Sequence, residues 1–204
     1  YQSVATGMYD VCLAIGVEKI PGGLLDDTSW PEHERKMGFN VQPANYALEL
    51  QRHMASYGTT LDQVARVTVK NRKNGVLNPY AGFQEKVSPE EVLNSRVIST
   101  PLRLLMCCAN GDGAAAAILC SPGKIREKNK RVNVAASVLV SETYGNKKGA
   151  GSIKYSNPDR TEIAAKQAYE ASGYGPENMD LVEVYDTMAS AEIINAEKLG
   201  ICNK

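Results

Sequence analysis

One sequence feature constrains the fold of this chain more than any other, a continuous apolar run over 11–17 that is bounded by charged residues. Such a run is typical of a strand that is covered on both faces, as in a parallel sheet. A second run, 114–120, follows a glycine-rich turn at 110–113. We expect both runs to be strands of one α/β sheet whose neighbouring strands lie upstream of Tyr1. Without those neighbours, apolar strand faces would be exposed.

Helix signals dominate the region between the two runs. A stripe of apolar residues over 44–57, followed by Gly58, predicts a helix with its stop. The patterns Thr60-Leu-Asp-Gln63 and Ser88-Pro-Glu-Glu91 are capping boxes that open two further helices. We therefore expect 21–103 to be a mainly helical excursion, after which the chain returns to the same sheet.

The second half of the chain alternates between strand and helix patterns. Runs 132–140 and 181–185 are apolar and predict strands. The helix pattern between them ends before Gly173, and Asp186 with Thr187 is expected to cap the last helix. This alternation implies right-handed crossovers and a mostly parallel sheet.

Charge and composition exclude several classes of protein. Lys plus Arg and Asp plus Glu both number 23 among 204 residues, so the chain lacks the basic excess of a protein that coats nucleic acid. Charged residues interrupt every apolar stretch before the ~20 residues that cross a bilayer. The five cysteines show no C-x-x-C spacing, which favours a reducing, cytoplasmic compartment. His33 and His53 are not spaced as a ligand pair, so we expect no metal.

Three stretches together resemble one superfamily. Residues 3–19, SVATGMYDVCLAIGVEK, are similar to the thiolase pattern A-x-x-A-G-x-x-D-V-x-L-A-x-G-x-E. Residues 110–117, NGDGAAAA, resemble the thiolase strand pattern DGAAA. Residues 180–192, DLVEVYDTMASAE, lie where sterol-carrier-protein-type thiolases carry D-x-x-E-x-H-D-C-F-x-x-A-E. By their order and spacing, the chain is identified as a member of the lipid-transfer, or sterol-carrier-type, branch of the thiolase superfamily.

The resemblance implies a layered α-β-α-β-α fold made of two similar halves, with an insertion in the first half. Residues 1–20 and 104–124 would belong to the N-terminal half, 21–103 to the mainly helical inserted loop domain, and 125–204 to the C-terminal half. Both halves would be partial, so we expect an internal fragment that lacks both ends of a longer polypeptide.

The chemistry of the family needs groups that the resemblance places outside this chain. A nucleophilic Cys at a helix N-terminus, where the helix dipole favours thiolate, would lie upstream of Tyr1. The Gly-His-Pro base and a second cysteine, in a Cys-x-Gly motif, would follow Lys204. None of the five cysteines in the sequence matches either motif.

Related enzymes use acyl-CoA, so the resemblance implies a thiolase-type acyltransferase. Its reaction would be retro-Claisen cleavage of a β-ketoacyl-CoA by CoA, or the reverse condensation. Two alternatives stay open, a retro-aldolase acting on a β-hydroxyacyl-CoA, which needs no Cys, and a non-catalytic scaffold subunit. CoA is then a substrate, and no cofactor is expected.

The resemblance also implies partners. The thiolase-like chain is expected to form a homodimer, because related enzymes work as dimers or larger assemblies. Some members of the branch pair with a small subunit built from an OB-fold and a zinc ribbon, which makes such a subunit a candidate partner. No nucleic acid and no membrane span are expected.

Tyr185 is the candidate catalytic residue. It ends the run 181–185 immediately before a helix, and ligands of α/β sheets gather beyond the carboxyl ends of strands. The matching residue in sterol-carrier-type thiolases is His, which helps to bind the oxyanion of the thioester enolate. A phenol can also donate a hydrogen bond to an oxyanion. The alternative is that Tyr185 only fills space, with its hydroxyl held by Asp186 or by backbone.

Three further residues are candidate substrate contacts. Met188 stands where relatives carry Phe, and Gly151 and Ser152 lie in a loop at 144–157 that is rich in Gly and Lys. This loop would line a pocket for CoA or for the acyl chain. The alternative is a solvated turn.

Overall fold

A computed structural model of the protein describes residues 1–20, 22, 31–125, 131–141 and 159–203. Helices and short strands are mixed along these residues, and the strands form two small sheets of two strands each. The elements in chain order are α1 (Gln2–Ala5), β1 (Val11–Glu18), α2 (Glu32–Lys36), α3 (Gln42–Tyr57), α4 (Leu61–Gly75), α5 (Pro89–Asn94), β2 (Val97–Ser99), β3 (Leu102–Arg103), β4 (Gly113–Cys120), α6 (Arg160–Ser172) and α7 (Ala189–Lys198).

The two apolar runs pair with each other in one sheet. Strands β1 and β4 are hydrogen-bonded along their full length, from Val11 opposite Cys120 to Glu18 opposite Gly113. The expectation that both runs share a sheet is confirmed. The expectation of a parallel arrangement is wrong for this pair, which is antiparallel. An apolar run reports that both faces of a strand are apolar, but the path of the chain between the runs sets their relative direction.

The β1–β4 sheet exposes apolar residues on its faces, as expected from the sequence. Val11, Leu13, Ile15 and Val17 alternate along one face of β1 and are 53–75% exposed. The opposite face carries the small residues between them, and these are opposite Leu119, Ala117 and Ala115 of β4. The apolar sequence of both strands is therefore not matched by burial within the described residues.

The helices of the inserted region begin at the residues that the sequence signals indicate. The Thr60 hydroxyl accepts from the Gln63 N–H, and the Gln63 side chain accepts from the Thr60 N–H, so the first capping box is complete. Ser88 and Glu91 form the same reciprocal pair at α5. Helix α3 ends at Gly58, whose φ of 74° lies in the left-handed region that favours glycine.

The core lies between α3, α4, α5, the segment around β3 and the start of α7. Its residues are mostly aliphatic, and burying each large side chain contributes roughly 1.5–3 kcal/mol. The core thus joins the inserted region to the last helix of the chain. Its buried members are Ala47, Leu50, Val64, Ala65, Val92, Leu102, Met106, Met188 and Ala189.

The second half confirms one helix prediction and corrects others. Helix α6 starts with the Asp159 side chain accepting from the Thr161 N–H, and it ends at Gly173, as expected. The runs 132–140 and 181–185 are not strands. A strand requires a neighbour that pairs with its N–H and C=O groups, and neither run pairs with a strand in the described part of the chain.

The predicted cap of the last helix is also wrong. The N-cap of α7 is Met188, and no side chain caps it. The Asp186 carboxylate instead accepts a hydrogen bond from the Asn71 amide, which is supplied by a different helix. A charge-assisted bond to a distant amide replaces the local cap that the sequence pattern suggested.

Candidate functional site

The candidate site is the short segment that leads into α7, residues 185–188. Tyr185 is at its start, and its side chain is 82% exposed. The Tyr185 carbonyl oxygen accepts a hydrogen bond of 3.3 Å from Nδ2 of Asn195 in α7. Within the described residues the Tyr185 hydroxyl has no hydrogen bond, neither to the Asp186 carboxylate nor with backbone. The phenol is therefore open to solvent while its backbone is held.

Asp186 is tied to helix α4 through a small polar network. Asn71 Nδ2 donates to Asp186 Oδ2 at 2.9 Å and to Glu192 Oε2 at 2.8 Å. Lys70 Nζ lies 2.5 Å from Glu192 Oε1. One amide and one ammonium group, both from α4, thus bind two carboxylates at the start of α7.

The last two residues of the segment pair with the chain that follows β3. The Cys108 N–H donates to the Thr187 carbonyl oxygen at 3.0 Å. Cys107 and Met188 form an isolated antiparallel bridge. Met188 is only 4% exposed and belongs to the hydrophobic core. Three separate parts of the chain therefore fix the site segment.

Burial changes the acidity of the Asp186 carboxyl. The partial burial of this group raises its pKa above the ordinary aspartate value, and the nearby charge of Glu192 raises it further. Three interactions lower this pKa without cancelling the rise. They are a hydrogen bond from the backbone N–H of Asp186, the charge of Lys70 and the hydrogen bond from the Asn71 side chain. Asp186 therefore holds a proton more readily than a free aspartate does.

The two cysteines beside the segment are not activated. Burial raises the pKa of the Cys107 thiol to about 11, and the adjacent Cys108 adds to the rise. Burial also raises the pKa of Cys108, with a further contribution from the Asp186 charge. Because the thiolate is the nucleophilic form of cysteine, neither residue is poised to attack a thioester at neutral pH.

The sequence-predicted site residues are only partly brought together. Tyr185 and Met188 lie in the same segment, but one is exposed and the other is in the core. Gly151 and Ser152 lie outside the described residues. Their assignment as substrate contacts stays a prediction, as does the catalytic assignment of Tyr185.

A groove of about 640 Å³ lies next to the site network, between the end of α3, α4 and α7. Arg66 and Lys70 line it, and each is paired with an acidic side chain, Asp62 and Glu192 respectively. Because both basic side chains are paired with carboxylates, neither offers an unpaired positive charge to a ligand in the groove. Tyr185 does not line this groove.

Beneath the groove, a buried polar pair joins α3 to α7. His53 Nε2 lies 2.8 Å from Glu197 Oε2, and His53 Nδ1 lies 2.8 Å from Thr59 Oγ1. The side chains of His53 and Glu197 are 7% and 8% exposed. Both ring nitrogens therefore have a partner away from bulk water.

Sequence reasoning missed Asn71, Asn195 and the His53–Glu197 pair. Asn71 is 115 positions from Asp186, and His53 is 144 positions from Glu197. No local pattern marks Asn71 or His53, because the partner of each is so distant along the chain. Asn195 is ten positions from Tyr185, a spacing that corresponds to no capping or helix-pair pattern. Only a general signal was present, namely polar residues on helix faces that otherwise pack into the core.

Among the described residues, no group of three or more His, Cys, Asp or Glu side chains is arranged to hold a metal ion. No helix in the same part of the chain combines the length and the apolar character that crossing a membrane requires.

Comparisons with known proteins give consistent results. A family model described as "Thiolase C-terminal domain-like" matches residues 154–204. Benzoylsuccinyl-CoA thiolase subunit BbsB of Thauera aromatica is 38% identical over 100% of this chain and 53% of its own length. Sterol carrier protein 2 of Bos taurus is 35% identical over 98% of this chain and 40% of its own length. The chain thus spans about half the length of these relatives, or less.

A solved structure is also similar. The Ltp2-ChsH2(DUF35) aldolase matches 98% of this chain with a TM-score of 0.76 and 25% sequence identity, and the match covers 54% of that chain. The similarity in fold therefore extends over nearly all of the sequence.

Proposed function

Because this chain belongs to the thiolase superfamily, we propose that the full-length protein is a thiolase-type acyltransferase acting on CoA thioesters. It cleaves a β-ketoacyl-CoA with CoA, or runs the reverse condensation. The observation that carries the proposal is the 38% identity to a benzoylsuccinyl-CoA thiolase subunit over the whole of this chain.

In this proposal Tyr185 binds the oxyanion of the enolate. The thiolate of the nucleophilic Cys, which the resemblance places upstream of Tyr1, attacks the β-carbonyl and forms a C–S bond. The Cα–Cβ bond then breaks, and its electron pair moves onto the departing thioester as an enolate. The enolate carbon then takes the proton that the nucleophilic thiol gave up. The CoA sulfur attacks the acyl-enzyme carbonyl, the enzyme C–S bond breaks, acyl-CoA leaves, and the proton of the CoA thiol returns to the enzyme thiolate. A phenol that donates to the thioester oxygen stabilises the enolate, and the exposure of Tyr185 supports this role.

A second candidate function, retro-aldol cleavage, is favoured by a specific observation. One structurally similar protein is named as an aldolase, and Tyr185 stands where sterol-carrier-type thiolases have His. In that reaction a base removes the β-hydroxyl proton and the Cα–Cβ bond breaks. A carbonyl compound leaves, and the remaining acyl-CoA enolate takes a proton. No acyl-enzyme forms, so no nucleophilic Cys is needed.

Two parallel assays on the full-length protein separate the candidates. The first supplies β-ketoacyl-CoA thioesters, from acetoacetyl-CoA upwards, together with CoA, and follows the loss of CoA thiol. The second supplies β-hydroxyacyl-CoA thioesters without CoA and follows release of an aldehyde or ketone. Turnover in the first alone supports the acyltransferase, and turnover in the second alone supports the aldolase. Turnover in neither supports the scaffold alternative and overturns the proposal.

The role of Tyr185 is tested by two substitutions in the full-length protein. Tyr185→Phe removes the hydroxyl and keeps the ring, and we expect it to lower kcat/KM by ~10²-fold with intact folding. Tyr185→His restores a donor, and recovery of thiolysis would favour the acyltransferase over the aldolase. A Tyr185→Phe enzyme within a few-fold of the parent would show that Tyr185 is a packing residue.

We also propose that Met188, Gly151 and Ser152 contact the substrate, and that the protein assembles with a second copy and with a further subunit. The names of two similar proteins support the last point, since one is a thiolase subunit and the other an Ltp2-ChsH2 assembly. Light scattering measures both kinds of assembly. The full-length protein is purified alone and after co-expression with a candidate small subunit built from an OB-fold and a zinc ribbon. A monomer under all conditions would contradict this part of the proposal.

A further inference from the structure

The chain at Tyr185 and Asp186 is held by two helices that are far apart in the sequence. Asn195 of α7 donates from Nδ2 to the Tyr185 carbonyl oxygen at 3.3 Å. Asn71 of α4 donates from Nδ2 to Asp186 Oδ2 at 2.9 Å. Two adjacent residues are therefore fixed by two amides, one through its backbone and one through its side chain.

Asn71 is held in this position by a second bond. Its Nδ2 also donates to Glu192 Oε2 at 2.8 Å, and Lys70 Nζ lies 2.5 Å from the other oxygen of that carboxylate. An amide nitrogen carries two hydrogens, and here two carboxylates take both of them. Asn71 cannot rotate without losing two charge-assisted hydrogen bonds. It also lies between two negative charges that would repel each other in its absence.

The restraint on the backbone contrasts with the freedom of the phenol. Tyr185 is 82% exposed, and within the described residues its hydroxyl makes no hydrogen bond. In the described part of the chain the phenol is therefore restrained through its Cα–Cβ bond, whose position and direction the held backbone sets. We propose that Asn71 and Asn195 are positioning residues that fix the direction in which Tyr185 presents its hydroxyl. This inference rests on the proposed function, in which that hydroxyl binds an oxyanion.

The expected kinetic effect follows from where the charge develops. Hydrogen-bond donors for an oxyanion act in the transition state and not on the bound substrate, so a misdirected phenol lowers kcat and leaves KM unchanged. Misplacement of a catalytic group by about 1 Å costs on the order of 10²-fold in rate. Loss of one of two restraints is expected to cost less, about tenfold in kcat.

A double-mutant cycle in the full-length protein tests the inference. Asn71→Leu is introduced into the parent and into Tyr185→Phe, and kcat and KM are measured with acetoacetyl-CoA and CoA. If the protein turns over only in the aldol assay, the active β-hydroxyacyl-CoA is used as substrate in place of acetoacetyl-CoA and CoA. We expect about a tenfold loss of kcat in the parent, with KM within about twofold, and less than a twofold loss in the Tyr185→Phe background. Asn94→Leu, at an exposed position at the end of α5, is the matched control and should leave both constants unchanged.

The outcomes separate this inference from the proposed function. Equal losses from Asn71→Leu in both backgrounds would overturn the inference, because a general structural role does not depend on the Tyr185 hydroxyl. No loss from Tyr185→Phe itself would overturn the proposed function instead. If Asn71→Leu does not fold, Asn195→Leu is used for the same cycle, because its partner is an uncharged carbonyl and no carboxylate is left unpaired. Additive effects of Asn195→Leu and Tyr185→Phe would then overturn the inference.

Discussion

Removing the carboxylate of Glu197 should destabilise the protein far more than removing a carboxylate from its surface. In Glu197→Ala, the His53 Nε2 atom loses its partner at 2.8 Å in a place where both side chains are less than a tenth exposed. An unsatisfied buried polar group costs about 1–3 kcal/mol, and a hydrogen bond to a charged group such as this carboxylate contributes about 1.5–3 kcal/mol.

The position of Glu197 fixes where the effect falls within these ranges. Its side chain lines the groove beside α4, so water can enter the space that the substitution leaves. We therefore expect a loss of about 2–3 kcal/mol in the free energy of unfolding, within the range for a buried hydrogen bond to a charged group and not above it. Glu197→Gln keeps an acceptor for the ring nitrogen and loses only the charge, so its cost should be about 1 kcal/mol.

Urea denaturation of the full-length protein, followed by circular dichroism, measures these differences, and equal m-values show that the variants unfold in the same way. Glu170→Ala is the matched control. Glu170 pairs with Lys166 at 3.9 Å on the exposed face of α6, and such pairs contribute about 0–0.5 kcal/mol. If Glu197→Ala costs no more than Glu170→Ala, the reasoning from burial is refuted.

Two further predictions concern the helix ends. The hydrogen bond from the Thr161 N–H and the charge of Lys198 hold the pKa of Asp159 below its ordinary value, although burial alone would raise it. A lowered folded-state pKa gives stability that is present above the unfolded pKa and lost as pH falls. Asp159→Ala should therefore cost about 1 kcal/mol in urea denaturation at neutral pH and progressively less below pH ~4, and a pH-independent cost would contradict this. A Cβ added at Gly75 would lie 2.7 Å from the Phe83 carbonyl oxygen, so Gly75→Ala should cost about 1–3 kcal/mol, whereas Gly82→Ala meets no atom within 4 Å and should cost little.

The family and the fold class were accessible from the sequence. Three motifs in order were enough to identify a thiolase-like α/β chain, and the match to a solved structure at a TM-score of 0.76 confirms the expected fold class. The starts of α4 and α5 were also accessible, because a capping box satisfies backbone N–H groups with side chains only three residues away. The division into two halves and an insertion stays a prediction.

The candidate site was accessible only in part. The sequence indicated Tyr185 through an expected place at the end of a strand and immediately before a helix. The structure shows the residue exposed, but 181–185 is not a strand and α7 begins only at Ala189. The sequence did not indicate that Asp186 would leave its expected role as a helix cap to accept from Asn71. A carboxylate takes the donor that tertiary packing brings nearest, and that donor lies on another helix.

By itself, the sequence determined the local features of this protein, which are its capped helix starts, its glycine stops and the two apolar runs that form strands. These depend on residues within one or two turns of each other, so they are written in short stretches of chain. Tertiary structure alone decided that β1 and β4 run antiparallel, that Met188 is in the core while Tyr185 is exposed, and that an amide from α4 holds the site segment. Each of these depends on contacts between residues that only the packing of distant elements brings together.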